Sequence, residues 1–232
     1  MTTDNFNLTR AEAESLAAEY GTPLFVYDRA KMEANADLTQ NFSGPFGLTV
    51  RFAMKALPTA AVLRLFDQKG LHFDASSGPE VHRLIRAGIQ GSKISLSSQE
   101  LPEDFEALHE KGITFNACSL SQLERIGTAL PRIRIGLRFN PGLGSGHSNR
   151  TNVGGPASSF GIWHELKDEA KALVDKFGLD VFRIHTHIGS GADPAIWQKV
   201  TTLNLEVVRA FPSVTTLNMG GGYKIARVPE ET

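Results

Sequence analysis

The sequence predicts an α/β fold built on a parallel sheet. Three observations carry that reading. Short β-branched or apolar runs alternate with longer helical patterns from Leu48 to Tyr223. Proline and glycine punctuate the helices in the expected order, with Pro58 near the start of one and Gly70 at its end. The polar residues gather where the runs finish, and the carboxyl ends of the strands are where parallel α/β folds keep their reactive groups.

Taken in order, Thr9-Arg10-Ala11-Glu12 reads as a capping box that opens a first helix. PLFVYD (23–28) reads as a short strand, and Asp28 as the N-cap of a helix over RAKMEANADLTQ (29–40). The alternation then settles. Strands are expected at LTVRFAMKA (48–56), LHFDASS (71–77), KISLSS (93–98), ITFNACS (113–119), RIRIGLRFN (132–140), LDVFRIHTHIGS (179–190) and VTTLNMGGGY (214–223). Helices are expected between them at 58–70, 78–88, 99–112 (or from Pro102), 120–130, 164–178 and 194–211. Seven strands follow Leu48, whereas a (β/α)8 barrel needs eight in ~250 residues. An open doubly wound sheet and a barrel both fit. In the barrel, either an eighth strand is absent or PLFVYD closes the sheet. No linker or low-complexity stretch interrupts the chain, so residues 1–232 are expected to form one domain.

Bulk properties exclude several classes. The 232 residues are 41% apolar and 21% charged, with a formal net charge of −1, so no basic excess points to nucleic acid. Nothing approaches the ~18 consecutive apolar residues of a membrane span. The start lacks a basic region followed by an apolar one, so no secretory signal is expected. Cys118 is the only cysteine, which excludes an intrachain disulfide and fits a reducing compartment. A soluble, cytoplasmic protein is the expectation.

The strand ends carry Lys55; Asp74 with Ser76 and Ser77; Ser97 and Ser98; Asn116 with Cys118 and Ser119; Arg138 with Asn140; His185, His187 and Ser190; and Gly220, Gly221 and Gly222. Lys55 reads either as a lysine whose stem covers apolar surface or as a nucleophile in a partly desolvated mouth. Asp74 taken alone reads as a cap for the next helix. His185 and His187, two apart on a strand, share a face. They suit a metal, a hydrogen-bonded core or a planar ligand, but no carboxylate or cysteine set with ligand spacing accompanies them, so no metal is assigned. Glycine-rich turns after the last two strands suit a phosphate. The polar, glycine-rich loop from Asn140 to Trp163 leaves a strand end, and a lid over the site is the physical expectation.

FAMKA, FDASSGPEVHRLIRAG, LRFNPGLGSGHSNRTNVGGPASSFGIW, HTHIGSG and GGGY occur in this order. In this the chain resembles the diaminopimelate decarboxylases, enzymes that use pyridoxal 5'-phosphate on a (β/α)8 barrel of the alanine racemase-like class. The resemblance implies that Lys55 carries the cofactor covalently and that Asp74 lies near both. It implies that Arg138 stands on the side of the cofactor's phenolic oxygen, that His187 stacks on the pyridine ring, and that Ser190 and Gly220 to Gly222 hold the phosphate. It implies a small amino-acid substrate, meso-diaminopimelate, decarboxylated to L-lysine, and a homodimer. The family's later EPGR-type segment, its Cys-Glu-Ser motif and its C-terminal β-domain have no counterpart in these residues. The chain thus resembles the first two-thirds of the enzyme, without the last barrel strand, and little or no activity is expected of it alone.

Overall fold

A computed structural model describes residues 8–42, 44–144, 154–156, 158–189 and 193–222. Contacts divide the chain into two compact units, one within Met1–Leu48 and the other within Thr49–Lys224.

The first unit holds α1 (Arg10–Tyr20) and α2 (Arg29–Gln40). Both starts follow the expected chemistry. The Thr9 N–H donates to Glu12 Oε2 at 2.9 Å while the Glu12 N–H donates to Thr9 Oγ1 at 3.3 Å, and the Lys31 N–H donates to Asp28 Oδ1 at 3.1 Å. The PLFVYD strand is not formed. Residues 24–28 are irregular, and Phe25 is 84% exposed. β-Propensity reflects packing against neighbouring strands, and this run has no strand partner among the described residues.

The second unit is a parallel sheet with its crossover helices. Its strands are β1 (Arg51–Ala53), β2 (His72–Ala75), β3 (Ile94–Leu96), β4 (Thr114–Ala117), β5 (Arg134–Asn140), β6 (Ile162–Trp163), β7 (Asp180–His185) and β8 (Thr216–Asn218). Seven of them lie in the order β1-β2-β3-β4-β5-β7-β8, and the two-residue β6, which the sequence did not announce, pairs with β5. The seven expected strands are thus present, shorter than expected and set as in a (β/α) barrel. Among the described residues β1 and β8 each have one neighbour, so the sheet is not closed. The helices are α3 (Ala60–Gln68), α4 (Gly78–Arg86), α5 (Phe105–Glu110), α6 (Leu120–Ala129), α7 (Lys167–Phe177) and α8 (Pro194–Arg209). Helix α5 starts later than expected. The Gln122 amide donates to the carbonyls of Ser98, at 2.9 Å, and Gln99, so these carbonyls are occupied rather than free to start a helix.

The two faces of the sheet differ in chemistry. Phe73, Ala75, Ile94, Leu96, Phe115, Leu137 and Ile184 are buried in one apolar core with Leu63, Leu84, Leu123, Ile126 and Val174 of the helices. The alternating positions are polar: Arg51 on β1, Asp74 on β2, Ser95 on β3, Asn116 on β4, and Arg138, Arg183 and His185 on β5 and β7. The polar face is concave. Arg183 Nη1 lies 2.7 Å from Ser95 Oγ, although β7 and β3 are separated by β4 and β5. On a flat sheet they would stand about 14 Å apart, so the sheet must roll to bring them together.

A bulge selects which β7 residues face inward. Ile135 pairs with Val181, but Gly136 pairs with Arg183, leaving Phe182 as an extra residue. Uninterrupted pairing would set Arg183 opposite Leu137, on the apolar face. No described helix is long and apolar enough to cross a membrane.

Phe73 is fully buried at the centre of the outer core. Phe73→Ala is expected to lower stability by about 3–5 kcal/mol, read as a shift of the urea midpoint with an unchanged slope.

Candidate active site

Residues from seven strands gather toward the carboxyl ends of the sheet. Lys55 does not end a strand as expected. It sits two residues past β1, in the 3-10 turn Met54–Ala56. Its side chain is exposed rather than held in a desolvated mouth, because the turn carries it clear of the sheet while Met54 takes the buried position.

Asp74 is not a helix cap. Ser77 caps α4 by accepting from the Glu80 N–H at 3.4 Å. The half-buried Asp74 instead faces inward and accepts from Ser97 Oγ at 3.1 Å. Burial pushes its carboxyl up to about 6, against the pull of the Ser97 hydrogen bond and of the Arg51, Arg183 and Arg138 charges.

Arg138 is 7% exposed and lies opposite His185 across β5 and β7. Its guanidinium carbon stands 5.2 Å from the centre of the Phe160 ring. Its Nε is buried without a partner, as is Nδ1 of His185. His187 lies two residues beyond β7, and its Nδ1 accepts from the Gly221 N–H at 3.4 Å. Burial first, then the nearby positive charges of Arg138 and Lys55, pull His187 down to about 4. Burial and Arg138 likewise hold His185 far below its ordinary value. Both imidazoles are therefore neutral at pH 7. Cys118 is buried against the Asn116 carbonyl at 3.2 Å, and burial pushes its thiol up to about 11, so it is a poor nucleophile.

The glycine turn is shaped for close approach. A Cβ on Gly220 would meet the Thr186 carbonyl oxygen at 2.6 Å and His187 Nδ1 at 2.8 Å, at a φ of +73°. Asn218 Oδ1 accepts from the Gly220 N–H at 2.8 Å and fixes the turn. Gly221 and Gly222 follow it, while Ser190 lies outside the described residues. Much of the loop expected as a lid, residues 145–153 and 157, also lies outside them. Its described end is anchored by Asn140, whose amide donates to the carbonyls of Gly155 at 3.2 Å and Ser158 at 3.1 Å. Two residues further on, Phe160 covers Arg138.

Arg51, Ser95 and Arg183 were not singled out in the sequence, yet they line the same concave face. The signal was present as strict alternation. Parallel strands buried in apolar layers on both faces read as continuous apolar runs, whereas KISLS and FRIH insert a polar residue at every second position and VRFAM breaks its apolar run with Arg51.

The donor set fits a planar, anionic group. Arg51, Arg138 and Arg183 share this face with one carboxylate, Asp74, with two neutral imidazoles, an orphaned guanidinium Nε and a glycine turn that allows close approach to its backbone.

Acid sensitivity follows from the histidines. The ordinary histidine value is 6.5 and the folded value for His187 is about 4. Between those values the unfolded chain binds protons that the folded chain refuses, so stability falls as the pH falls through that window. Asp74 acts in the opposite sense between about 6 and 3.8 and offsets one histidine, not two. Denaturant midpoints are expected to drop between pH 7 and pH 4.5, and His187→Gln to flatten that slope. An unchanged slope in the variant would remove His187 from the account.

Comparison with known proteins identifies the chain's family. A family model described as "Pyridoxal-dependent decarboxylase, pyridoxal binding domain" matches residues 30–232. The diaminopimelate decarboxylase of Streptomyces coelicolor is 37% identical over 224 residues, covering 92% of this chain and 49% of that protein. A crystal structure of a diaminopimelate decarboxylase superposes with a TM-score of 0.87 at 30% identity, covering 100% of this chain and 56% of that one. Lysine decarboxylase from Selenomonas ruminantium shares the fold, with a TM-score of 0.78 at 24% identity, covering 95% of this chain and 58% of that one. The chain spans about half the length of the relatives it matches, less than the two-thirds its motifs suggested.

Proposed function

We propose, because this chain belongs to the pyridoxal-binding domain family of the pyridoxal-dependent decarboxylases, that it forms the cofactor-holding barrel of a diaminopimelate decarboxylase. The observation that carries the reading is the convergence on one strand-end face of an exposed lysine, a neutral histidine, a buried arginine with an unpartnered Nε and a glycine turn.

The family's cofactor is pyridoxal phosphate. When bound, it supplies an electron sink for the bonding pair left by a departing carboxylate. The chain's residues hold and orient it. Lys55 Nζ, exposed and close enough to His187 to depress its pKa, is the covalent attachment point. The uncharged His187 offers a flat face without repelling a protonated pyridine ring. The side-chain-free turn of Gly220 to Gly222, which lets a ligand approach the backbone closely, together with Ser190, suits the phosphate. Arg138 brings a fixed positive charge to the phenolic-oxygen side, and Phe160 shields that charge from water on one side. Asp74 sets a negative charge among the three guanidinium groups. The substrate this reading assigns is meso-diaminopimelate and the product L-lysine.

The test uses the full-length protein with pyridoxal phosphate and meso-diaminopimelate. Release of CO2 with formation of L-lysine is expected. Borohydride reduction followed by peptide mass mapping should fix the cofactor's mass on the peptide carrying Lys55. Lys55→Ala should lose both signals. Cofactor fixed on another lysine, or wild-type CO2 release by the variant, would overturn the assignment.

The glycine turn gives a second check. Gly220→Ala meets backbone and a positive φ, whereas a Cβ on Gly221 meets nothing within 4 Å. Cofactor affinity measured by dialysis is expected to fall about tenfold or more in Gly220→Ala, and less in Gly221→Ala.

A further inference from the structure

We infer that Arg183 is a positioning residue for Asp74, acting through Asn116 and Ser97 along one directed chain of hydrogen bonds. Arg183 Nη1 donates to Asn116 Oδ1 at 3.4 Å and to Ser95 Oγ at 2.7 Å. Asn116 Nδ2 donates to Ser97 Oγ at 2.8 Å and to Ser95 Oγ at 3.1 Å. Ser97 Oγ donates to Asp74 Oδ1 at 3.1 Å. The chain starts on a cation, ends on a carboxylate and crosses from β7 to β2.

Its direction is fixed at the cationic end. A guanidinium has only donors, so the amide of Asn116 must turn its oxygen toward Arg183. Reversing the amide would set two donors against each other. With the oxygen so placed, Nδ2 faces Ser97 and engages a hydroxyl lone pair. The single Ser97 proton is then left for Asp74. Polarised chains of this kind strengthen bond by bond in a low-dielectric interior.

Two features of the backbone serve this arrangement and have no other evident use. The β7 bulge turns Arg183 inward. Gly136, the residue paired with Arg183, leaves room for the amide, since a Cβ there would lie 2.0 Å from Asn116 Oδ1. The charges whose fields reach Asp74 are Arg51 on β1, Arg183 on β7 and Arg138 on β5. Among the described residues none of these guanidinium groups bonds to the carboxylate directly. Ser97 is the contact, and Arg183 sets its orientation. The inference rests on the proposed function only in treating Asp74 as a cofactor-side group. There, the chain holds the carboxylate ionised and pointed in one direction.

The experiment is a 13C carboxyl titration of Asp74 in the full-length protein, with and without pyridoxal phosphate, the signal being assigned with Asp74→Asn. Arg183→Met, Asn116→Leu and Ser97→Ala are each expected to raise the Asp74 midpoint by about one unit. Ser97→Thr, which keeps the hydroxyl, should leave it in place. A shift in Arg183→Met with none in Asn116→Leu would overturn the chain, because the arginine would then act through space alone. Equal shifts in Ser97→Ala and Ser97→Thr would overturn it too, and that pair decides if Asn116→Leu does not fold. The titration without cofactor separates this inference from the proposed function: loss of Lys55 labelling sinks the function and leaves the Asp74 result standing.

Discussion

The contact between Arg183 and Ser95 is the constraint on which the second unit depends. It joins strands three positions apart in the sheet order, so it exists only if the sheet is rolled. Once rolled, the inner face carries a buried guanidinium that has to be satisfied, because an unpaired charge in a low-dielectric interior is costly. Ser95, Asn116 and the face of Phe182, 4.6 Å from the guanidinium carbon, meet that need. An apolar concave face of the usual barrel kind would have no group to meet it. The polarity of the concave face is thus a consequence of placing Arg183 there, and the bulge in β7 is what places it.

That polarity sets the electrostatics of the strand ends. Three guanidinium groups share the concave face with one carboxylate. Burial first, and these charges with it, keep the imidazoles neutral, His187 at about 4 and His185 far below its ordinary value. Arg183 itself is pulled down to about 10 by burial and by Arg51, the direction expected where like charges crowd a shared interior. An anionic group entering this face relieves a repulsion the fold has already built in. The residues that would touch it therefore need no rearrangement to become attractive.

How much of this was legible in the sequence depends on the range of the interaction concerned. Local chemistry was fully legible. The Thr9–Glu12 box, the Asp28 cap and the bounds of α2 are decided within a few residues. So was the gathering of Asp74, Arg138 and His187 toward the carboxyl ends of the sheet, because strand direction alone delivers them to one side. Properties set by neighbouring elements were not legible. PLFVYD has the composition of a strand and lacks a neighbour to pair with. Lys55 ends an apolar run, yet a turn lifts it out of the interior. Asp74 precedes a helix, yet Ser77, nearer the helix start, takes the cap. Arg183 was only partly legible, since alternation put it on one face with His185 but not on a chosen side of the sheet. Its inward direction depends on a bulge, and strict alternation across FRIH does not reveal where pairing slips by one residue.

The division between the two faces also separates stability from chemistry. The apolar face packs Phe73, Phe115, Leu84 and Leu123 with the helices, and apolar burial there supplies most of the favourable free energy. The concave face supplies little, since hydrogen bonds and buried charges contribute modest net stability. It supplies orientation instead. Asn116 is held at both ends of its amide, Ser97 has one direction left for its proton, and Gly136 is kept small to admit them. The cost of a polar interior is met by an outer core that makes no demands on it. That independence is what allows one sheet to be a rigid scaffold on its helix side and a tuned, positively charged receptacle on the other.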